Sequence, residues 1–366
     1  MKNSKLKIDL FISSLTSGGA ERVVSLLANK FVDRGHKVRL ITFSQLKDAY
    51  ILDPRVERIN YDRRIYLFNY TSIKCFFFLL GFYFKKKNRP DVICAHMTLM
   101  GYPTIPISLI YGIKLIVTEH TNHINSGSFL SSRIVWRLFY PFADAITVLT
   151  NFDVPFFKKF NKNTLVITNP CSFEMLKDDQ IPGEREKIIL SVGSLDRYKE
   201  KGFDNLIEIA HKVLPGNPEW KLKIVGDGVH GKKFLQNKVN ELNISNQVIF
   251  TGFRSDVIDI MRKSEIFILH SRFEGMPMAL LEAMTQKMVC ISYNCISGPA
   301  EIITNNKNGI LIKNQDKMEM VEKLNLLLQD KVLRSFLREN INGSLNKFSI
   351  NEVVNKWEKL FDEINH

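Results

Sequence analysis

The stretch KIDLFISSLTSGGAERVVSLLANKFVDRGHKVRLITF, residues 7 to 43, contains the pattern that decides the fold. Its opening segment KIDLFISS predicts a buried strand, and HKVRLITF at its end predicts the next one. Between them, GGAERVVSLLANKFVDRG has the apolar spacing of an amphipathic helix that ends at Gly35. A strand, a helix and a strand in this order form a βαβ unit, so we expect a parallel sheet covered by helices.

The same alternation continues through the first half of the chain. Further strands are predicted in DVICAHM, KLIVTEH and ADAITVLT, and the segment LVITNP, residues 165 to 170, closes a first domain. Residues 171 to 187 carry charge, proline and glycine without periodicity, which predicts a linker.

A second series of strands and helices begins at residue 188. Its predicted strands are KIILSVGS, KLKIVGDG, QVIFTGF, EIFILHS, KMVCISY and GILI. This series predicts a second Rossmann-like domain over residues 188 to 349, with ligands expected at the carboxyl ends of the strands and in a central cleft between two facing domains. The amphipathic segment at 350 to 366 is either a capping helix of this domain or a return to the first one.

Composition and charge narrow the classes of partner. With 366 residues, 45% of them apolar and 24% charged, the chain is globular and long enough for two domains. Residues 1 to 170 contain 24 Lys+Arg and 11 Asp+Glu, whereas residues 171 to 366 contain 27 of each. The whole net charge of +13 therefore lies in the first half, which predicts an anionic partner such as a phosphorylated substrate, an anionic membrane or nucleic acid.

The segment RRIYLFNYTSIKCFFFLLGFYFKKKNRP, residues 63 to 90, interleaves aromatic residues with cations. This composition is typical of a helix at a membrane interface, and it predicts contact with an anionic membrane surface. A core-facing helix with a solvated basic end is the alternative. The run CFFFLLGFYF is ten residues long, too short to span a bilayer, and no nucleic-acid-binding motif is present.

Other features predict a cytoplasmic protein. Residues 1 to 7 do not begin a secretory signal, and the five cysteines show no paired spacing, which is typical of reduced thiols. We therefore expect a cytoplasmic location, with peripheral attachment at the inner face of the cell membrane.

The stretch SRFEGMPMALLEAM, residues 271 to 284, places Glu274 and Glu282 in an otherwise almost uncharged run. Pro277 suits the first position of a helix, so Glu282 would lie about 7 to 8 Å further along its axis. Carboxylates so placed do not suit a retaining hydrolase, which needs them about 5 Å apart. They suit a long polyhydroxylated ligand, and the backbone of Gly275, Met276 and Pro277 is a candidate for contact with a phosphate.

Two further loops carry candidates for binding phosphate. VGSLDRYKEKGFD places Arg197, Lys199 and Lys201 after a strand, and we favour Arg197 and Lys201 as cations for a leaving diphosphate. Gly18 and Gly19 lie between a strand and a helix, where backbone amides can approach a phosphate. The pattern is not GxGxxG, so a nicotinamide cofactor is not expected.

Taken together, VGSLDRYKEKGFD, KIVGDG, FTGFRSDV and SRFEGMPMALLEAM, with GGAER near the start and SGPAEII at 297 to 303, resemble the retaining family-4 glycosyltransferases. The resemblance covers essentially the whole chain and implies the GT-B fold, with two doubly wound Rossmann-like domains. The sequence departs from the commoner family pattern at Ser194, where arginine is usual, which leaves the choice among Arg197, Lys199 and Lys201 open.

The resemblance also implies roles for individual residues. Glu274 would contact the transferred sugar and Glu282 the nucleotide ribose. Gly226 and Phe253 would lie near the base and ribose, and His120 would approach the donor sugar from the acceptor side. His120 and His123 form an HxxH pair, but with no third ligand nearby and no DxD motif we expect no metal and no cofactor.

The predicted function is transfer of a hexosyl or N-acetylhexosaminyl unit, with retention, from a nucleoside-diphosphate sugar onto a lipid-diphosphate-linked bacterial glycan. UDP is the expected nucleotide because it is the frequent one in the family. Two alternatives remain: a nucleotide-sugar epimerase of the same fold, which would need no acceptor groove, and an inactive membrane-surface binding protein.

Overall fold

A computed structural model describes residues 5–16, 18–44, 46–61, 71–127 and 129–365. The chain divides into two compact units. The first contains Met1–Ser172 together with Phe348–His366, and the second contains Phe173–Lys347. The segment predicted as a linker, 171 to 187, belongs almost entirely to the second unit.

The first unit contains a 7-stranded parallel sheet in the order β3-β2-β1-β4-β5-β6-β7. Helices connect most of the successive strands, as the opening βαβ pattern predicts, whereas β3 follows β2 without a helix among the described residues. The elements are β1 (Lys7–Phe11), α1 (Gly19–Asp33), β2 (Lys37–Thr42), β3 (Glu57–Asn60), α2 (Thr71–Phe84), β4 (Val92–His96), α3 (Gly101–Tyr111), β5 (Lys114–Thr118), α4 (His123–Ser126), α5 (Leu130–Leu138), β6 (Ala145–Val148), α6 (Val154–Phe157) and β7 (Thr164–Val166).

The second unit contains a 6-stranded parallel sheet in the order β10-β9-β8-β11-β12-β13. This is the strand order of a Rossmann fold, so the prediction of two doubly wound domains is confirmed. The elements are β8 (Glu186–Val192), α7 (Tyr198–Lys201), α8 (Phe203–Val213), β9 (Lys221–Val225), α9 (Val229–Glu241), β10 (Val248–Gly252), α10 (Val257–Lys263), β11 (Ser264–Leu269), α11 (Met278–Thr285), β12 (Val289–Tyr293), α12 (Pro299–Ile302), β13 (Ile310–Ile312), α13 (Lys317–Gln329) and α14 (Lys331–Glu339).

One strand was missed, and the predicted start of one helix needs correction. The edge strand β3 was not predicted, because its sequence ERIN is short, polar and only partly buried. The helix expected to begin at Pro277 begins at Met278, and Pro277 precedes it as the N-cap residue.

A buried ion pair fixes α2 against the first sheet. Arg39 of β2 donates to both carboxylate oxygens of Asp9 on β1, at 2.7 and 2.6 Å, and the Tyr83 hydroxyl of α2 donates to the same carboxylate. Burial raises the pKa of Asp9, while the bonds from Arg39 and Tyr83 oppose that rise. The satisfied network therefore sets the position of α2 relative to β1.

The inner face of α2 is part of the core, since Cys75, Leu79 and Tyr83 are fully buried. Its outer face leaves Ile73, Phe77 and Phe84 exposed. The alternative prediction of a helix that packs against the core is therefore correct for one side of α2. Residues 63 to 70 of the predicted membrane segment lie outside the described residues, and none of the helices in the described part of the chain is long and apolar enough to cross a bilayer.

The last helix, α15 (Ile350–Asn365), is part of the first unit. Phe361 packs against Phe31 of α1 with ring centroids 5.5 Å apart, and Trp357 meets the same ring edge-on at 6.4 Å. Glu358 lies 3.2 Å from Nε2 of the buried His36. The chain thus returns from the second unit to complete the core of the first.

We expect Phe361→Ala to lower the stability of the first unit by about 3–5 kcal/mol, because it removes a fully buried ring and leaves a cavity. Hydrogen exchange measured on individual peptides reports the stability of each unit separately, and exchange should become faster in peptides of the first unit. The control Phe336→Ala removes a half-exposed ring of α14 and should cost less than about 1 kcal/mol. Equal effects of both changes, or faster exchange confined to the second unit, would contradict the packing of α15.

Candidate active site

The second unit has its topological switch point between β8 and β11. These strands are hydrogen-bonded neighbours, with Ile189 opposite Ile266, but the connections that follow them lead to opposite halves of the sheet. In such sheets a ligand crevice forms where the two loops diverge from the carboxyl ends. The loop after β8 leads to Lys201, and the loop after β11 contains Glu274.

Lys201 and Glu274 form an ion pair across this switch point. The Lys201 ammonium donates to the Glu274 carboxylate oxygens at 2.8 and 3.0 Å. The Ser271 hydroxyl donates to Oε1 of Glu274 at 2.6 Å. Glu274 is buried and Lys201 is partly buried, so the pair is held in a fixed position at the edge of the sheet.

The other two candidate cations of the loop after β8 have different surroundings. The Arg197 guanidinium pairs with Glu200, and this hydrogen bond raises the pKa of Arg197. Lys199 is exposed. Of the three candidates, Lys201 is the one that the described structure places in contact with Glu274.

Close backbone approach brings the two loops together. Gly202 has a positive φ of 75°, and a Cβ at this position would lie 2.0 Å from the backbone oxygen of His270. Any larger residue would push the loops apart. The glycine directly after Lys201 therefore sets how near this side chain comes to the loop after β11.

The SGPAEII loop holds Glu274 from the other side. The Glu274 amide donates to the backbone oxygen of Ile296 at 2.9 Å, and the Ser297 amide donates to the Glu274 oxygen at 3.2 Å. The Ser297 hydroxyl donates to the Gly275 oxygen at 3.1 Å. Both strand-end loops are thus fixed by hydrogen bonds next to the carboxylate.

The remaining candidates of the second unit occupy nearby strand-end positions. Met276 is buried beside Gly275 and Pro277, and Glu282 is buried on α11. Gly226 follows β9 with a φ of 141°, and a Cβ there would lie 1.9 Å from the Gly193 oxygen. Phe253 follows β10 and is 73% exposed, which suits an aromatic platform for a planar base.

His270, which was not predicted, lies beneath this site. Its Nε2 is 2.7 Å from the Ser191 hydroxyl of β8, and its ring meets Phe203 edge-on at 4.7 Å. Burial lowers the pKa of His270 to about 3. A neutral histidine therefore joins β8 to the end of β11.

In the first unit, His120 follows β5, and His96 lies at the end of β4. Nε2 of His120 is 3.0 Å from Nδ1 of His96. Burial lowers the pKa of His120 to about 4 and also lowers the pKa of His96. Both rings are therefore neutral at physiological pH, and the N–H of one ring donates a hydrogen bond to the nitrogen of the other. His96 was missed, although it ends β4 and the adjacent parallel strand β5 is followed two residues later by His120.

Glu119, next to His120, is a buried carboxylate with three hydrogen-bond donors. The Thr98 hydroxyl donates to it at 2.7 Å, Trp136 Nε1 donates at 3.0 Å, and the Tyr140 hydroxyl also donates. Burial raises the pKa of Glu119, an effect that these bonds oppose. The network fixes the backbone from which His120 projects.

The remaining candidate residues of the first unit are His123, Gly18 and Gly19. His123 pairs with Asp153 at 2.7 Å rather than with His120, and the described residues contain no cluster of three or more side chains suited to a metal ion. Gly18 is the extended N-cap residue of α1, which begins at Gly19. The Gly18 backbone oxygen accepts a hydrogen bond from the Tyr50 hydroxyl at 2.9 Å.

Comparison with known proteins identifies the class. The profile described as "Glycosyl transferases group 1" matches residues 173–343, and that described as "Glycosyltransferase Family 4" matches residues 17–170. A Campylobacter jejuni protein named GalNAc-alpha-(1->4)-GalNAc-alpha-(1->3)-diNAcBac-PP-undecaprenol alpha-1,4-N-acetyl-D-galactosaminyltransferase is 30% identical over 368 residues, covering 98% of this chain and 99% of the relative. The chain therefore belongs to the family-4 glycosyltransferases of the GT-B fold.

Two further matches extend the comparison. An Escherichia coli protein named UDP-Gal:alpha-D-GlcNAc-diphosphoundecaprenol alpha-1,3-galactosyltransferase is 27% identical over 297 residues, covering 75% of this chain and 76% of the relative. The crystal structure of TarM has a TM-score of 0.83 at 15% identity, covering 99% of this chain and 100% of TarM. At that identity the TarM match shows the fold alone.

The buried His270 predicts a pH-dependent loss of stability. Because its pKa is about 3 in the folded chain and about 6.5 in an unfolded chain, the unfolded state binds the extra proton first as the pH falls. The contribution of the neutral, buried His270 to the free energy of unfolding is fully present above about pH 6.5. Roughly 3 kcal/mol of this contribution should be lost by about pH 4.

The matched variant His270→Asn lacks the titrating group. The free energy of unfolding is measured by urea denaturation at several pH values from about 7 to about 4. Over this range the wild-type value should fall more than that of the variant, so the difference between the two free energies should become smaller. A difference that stays constant over this range would contradict a neutral buried His270.

Proposed function

We propose that this glycosyltransferase moves a hexosyl or N-acetylhexosaminyl unit, with retention of configuration, from a UDP-sugar onto a lipid-diphosphate-linked glycan. No cofactor and no metal ion are needed in this proposal. The observation that carries it is the Lys201–Glu274 ion pair at the switch point of the second sheet. A fixed cation beside a fixed carboxylate suits a donor that presents a phosphate next to a sugar.

The donor and acceptor are supported by the names of the relatives. The Escherichia coli protein is named for UDP-Gal and for a diphosphoundecaprenol acceptor, and the Campylobacter jejuni protein for a PP-undecaprenol glycan. Both names specify an alpha-linked transfer. Since UDP-galactose itself carries an α-linked sugar, an α-linked product corresponds to retention. The basic first half of the chain adds a physical reason to expect an acceptor with phosphate groups.

Lys201 would stabilise the leaving group. When the bond between the sugar C1 and the β-phosphate oxygen breaks, negative charge grows on that phosphate, and a cation already in place lowers the barrier. An ammonium group has three N–H donors, and at most two of them are directed to Glu274. The third is available for a phosphate oxygen without breaking the ion pair.

Glu274 would orient the sugar by accepting hydrogen bonds from its hydroxyl groups, and Glu282 would do the same for the ribose. The new bond from C1 to the acceptor oxygen forms on the face that the phosphate leaves. The acceptor proton passes to the departing phosphate, so no side chain becomes covalently attached. Arg197 becomes a secondary candidate, because Glu200 already neutralises it.

His120 would act on the acceptor as a neutral ring. With a pKa of about 4 the ring is neutral at pH 7 and carries one N–H. If Nε2 donates to His96, then Nδ1 is an acceptor, and this buried atom has no hydrogen-bond partner among the described residues. A neutral imidazole there can accept a hydrogen bond from the attacking hydroxyl and hold it in position.

Peripheral attachment to the inner membrane face is part of the proposal. The exposed Ile73, Phe77 and Phe84 of α2, followed by the exposed cations at 85 to 87, suit the interfacial region of an anionic bilayer. An enzyme whose acceptor is embedded in the membrane benefits from such contact.

A thermal-shift panel with UDP, GDP, ADP and NAD, each with and without EDTA, tests the donor and the metal. A ligand at 100 times its dissociation constant adds about 2.7 kcal/mol, which moves the midpoint by several degrees. We expect UDP to stabilise the protein equally well in EDTA. A preference for GDP would change the nucleotide, loss of the UDP shift in EDTA would contradict metal independence, and no shift with any nucleotide would contradict the donor site.

Comparing Lys201→Ala with Lys199→Ala tests which cation meets the diphosphate. Loss of a charge-assisted contact costs about 1.5–3 kcal/mol, so Lys201→Ala should weaken UDP binding by roughly 10- to 150-fold and leave the weak binding of uridine unchanged. Lys199→Ala, two residues away and exposed, is the matched control and should bind UDP as wild type does. Isothermal titration measures both; a loss confined to Lys199→Ala would reverse the assignment.

A further inference from the structure

A cavity of about 390 Å³ lies beside α5 in the first unit, and the roles assigned above do not use it. Aromatic rings and cations line it together. The lining residues that matter here are His123, Trp136, Phe156, Phe160, Arg133 and Arg137.

The aromatic wall of the cavity is rigid. His123 stacks on Phe156 with ring centroids 4.2 Å apart and an angle of 13°, and Trp136 meets Phe156 edge-on at 5.2 Å. Asp153 fixes His123 by accepting from its backbone amide at 2.9 Å and by contacting its Nδ1 at 2.7 Å. The wall therefore needs little ordering when a ligand binds.

Two exposed arginines lie at the cavity without acidic partners. Arg133 Nε donates to the Gly127 backbone oxygen at 2.6 Å, which orients its guanidinium. Within the described part of the chain no carboxylate pairs with Arg133 or Arg137, whereas the exposed Arg55 and Arg254 both pair with aspartates. Unneutralised guanidinium groups with free N–H donors suit a phosphate oxygen.

An apolar band continues along the exposed side of α5 from the same arginines. It consists of Phe129, Leu130, Ile134 and Leu138, of which Leu130 is 73% and Leu138 63% exposed. The spacing of the last three residues places them on one helix face. A small hydrophilic anion would need the arginines but would leave this band in water, so the ligand should be both anionic and apolar.

We propose that the cavity and the α5 apolar band bind the diphosphate end of a polyprenyl-linked acceptor. Arg133 and Arg137 hold the diphosphate, the band covers the first isoprene units, and the aromatic wall stacks on the first sugar. Trp136 connects this subsite to the reaction, because it lines the cavity and donates to Glu119, the neighbour of His120. The inference rests on the proposed function and specifies where its acceptor binds.

Farnesyl diphosphate is a short probe for this subsite, and isothermal titration of the full chain measures its binding. Wild type should bind it at least tenfold more tightly than farnesol or inorganic diphosphate. The variant R133Q/R137Q should lose at least tenfold in affinity. The control R55Q/R254Q, which removes the same charge from exposed arginines elsewhere, should remain within about twofold of wild type.

The apolar band has its own variant. I134S/L138S should lower the affinity for farnesyl diphosphate toward that for inorganic diphosphate, since two of the four apolar side chains of the band are lost. Unchanged affinity in either R133Q/R137Q or I134S/L138S would overturn the proposal, as would an equal loss in R55Q/R254Q. Vesicles of phosphatidylcholine with phosphatidylglycerol test the other lipid source: weaker vesicle binding by R133Q/R137Q with unchanged farnesyl diphosphate binding would show a general membrane contact instead.

The UDP thermal shift of wild type and R133Q/R137Q distinguishes a failure of the proposed function from a failure of the proposed acceptor subsite. Wild type and R133Q/R137Q should be stabilised equally by UDP, because the arginines are not part of the donor site. If wild type shows no UDP shift, the proposed function fails. If UDP stabilises both proteins but R133Q/R137Q binds farnesyl diphosphate as well as wild type does, only the acceptor subsite is wrong.

Discussion

The close approach of two strand-end loops in the second unit is the constraint on which the candidate site depends. Gly202 brings the loop after β8 against the backbone of His270, and this places the neighbouring Lys201 within 2.8 Å of Glu274. The sheet alone would not produce this contact, since it only brings β8 and β11 side by side. A residue without a side chain at one position thus converts a common topology into a specific pairing of charges.

The first unit achieves the same rigidity with buried polar groups. Glu119 and the pair His96–His120 lie in an apolar interior, where an unsatisfied polar group is costly. The free-energy cost of burial is lower for the two histidines because their rings are neutral, and it is lower for Glu119 because three donors bond to its carboxylate. Apolar residues would fill this space with less difficulty. What the polar network provides in return is a fixed position for His120.

The sequence predicted the architecture because hydrophobic periodicity is a local signal, and a repeated βαβ pattern allows essentially one kind of sheet. Contacts that depend on the three-dimensional course of loops were less accessible. Whether Arg197 or Lys201 meets Glu274 is decided by the ion pair of Arg197 with Glu200 and by the φ of Gly202. The pairing of His96 with His120 requires knowing that β4 and β5 are neighbours in the sheet. The strand β3 lacked any periodic signal.

The excess charge of the first half can be interpreted more closely with the structure. If each of its 11 acids neutralised one cation, 13 of the 24 Lys+Arg would still be without an acid from that half. Arg39 and Arg58 are neutralised internally by Asp9 and Asp48. The exposed cations at 85 to 87 and on α5 instead lie beside exposed apolar side chains. A soluble sugar phosphate offers nothing to those apolar groups, whereas a phosphorylated lipid satisfies both. Among the described residues, the coincidence of cations without an acidic partner and exposed apolar surface is therefore the physical argument for a lipid-linked acceptor.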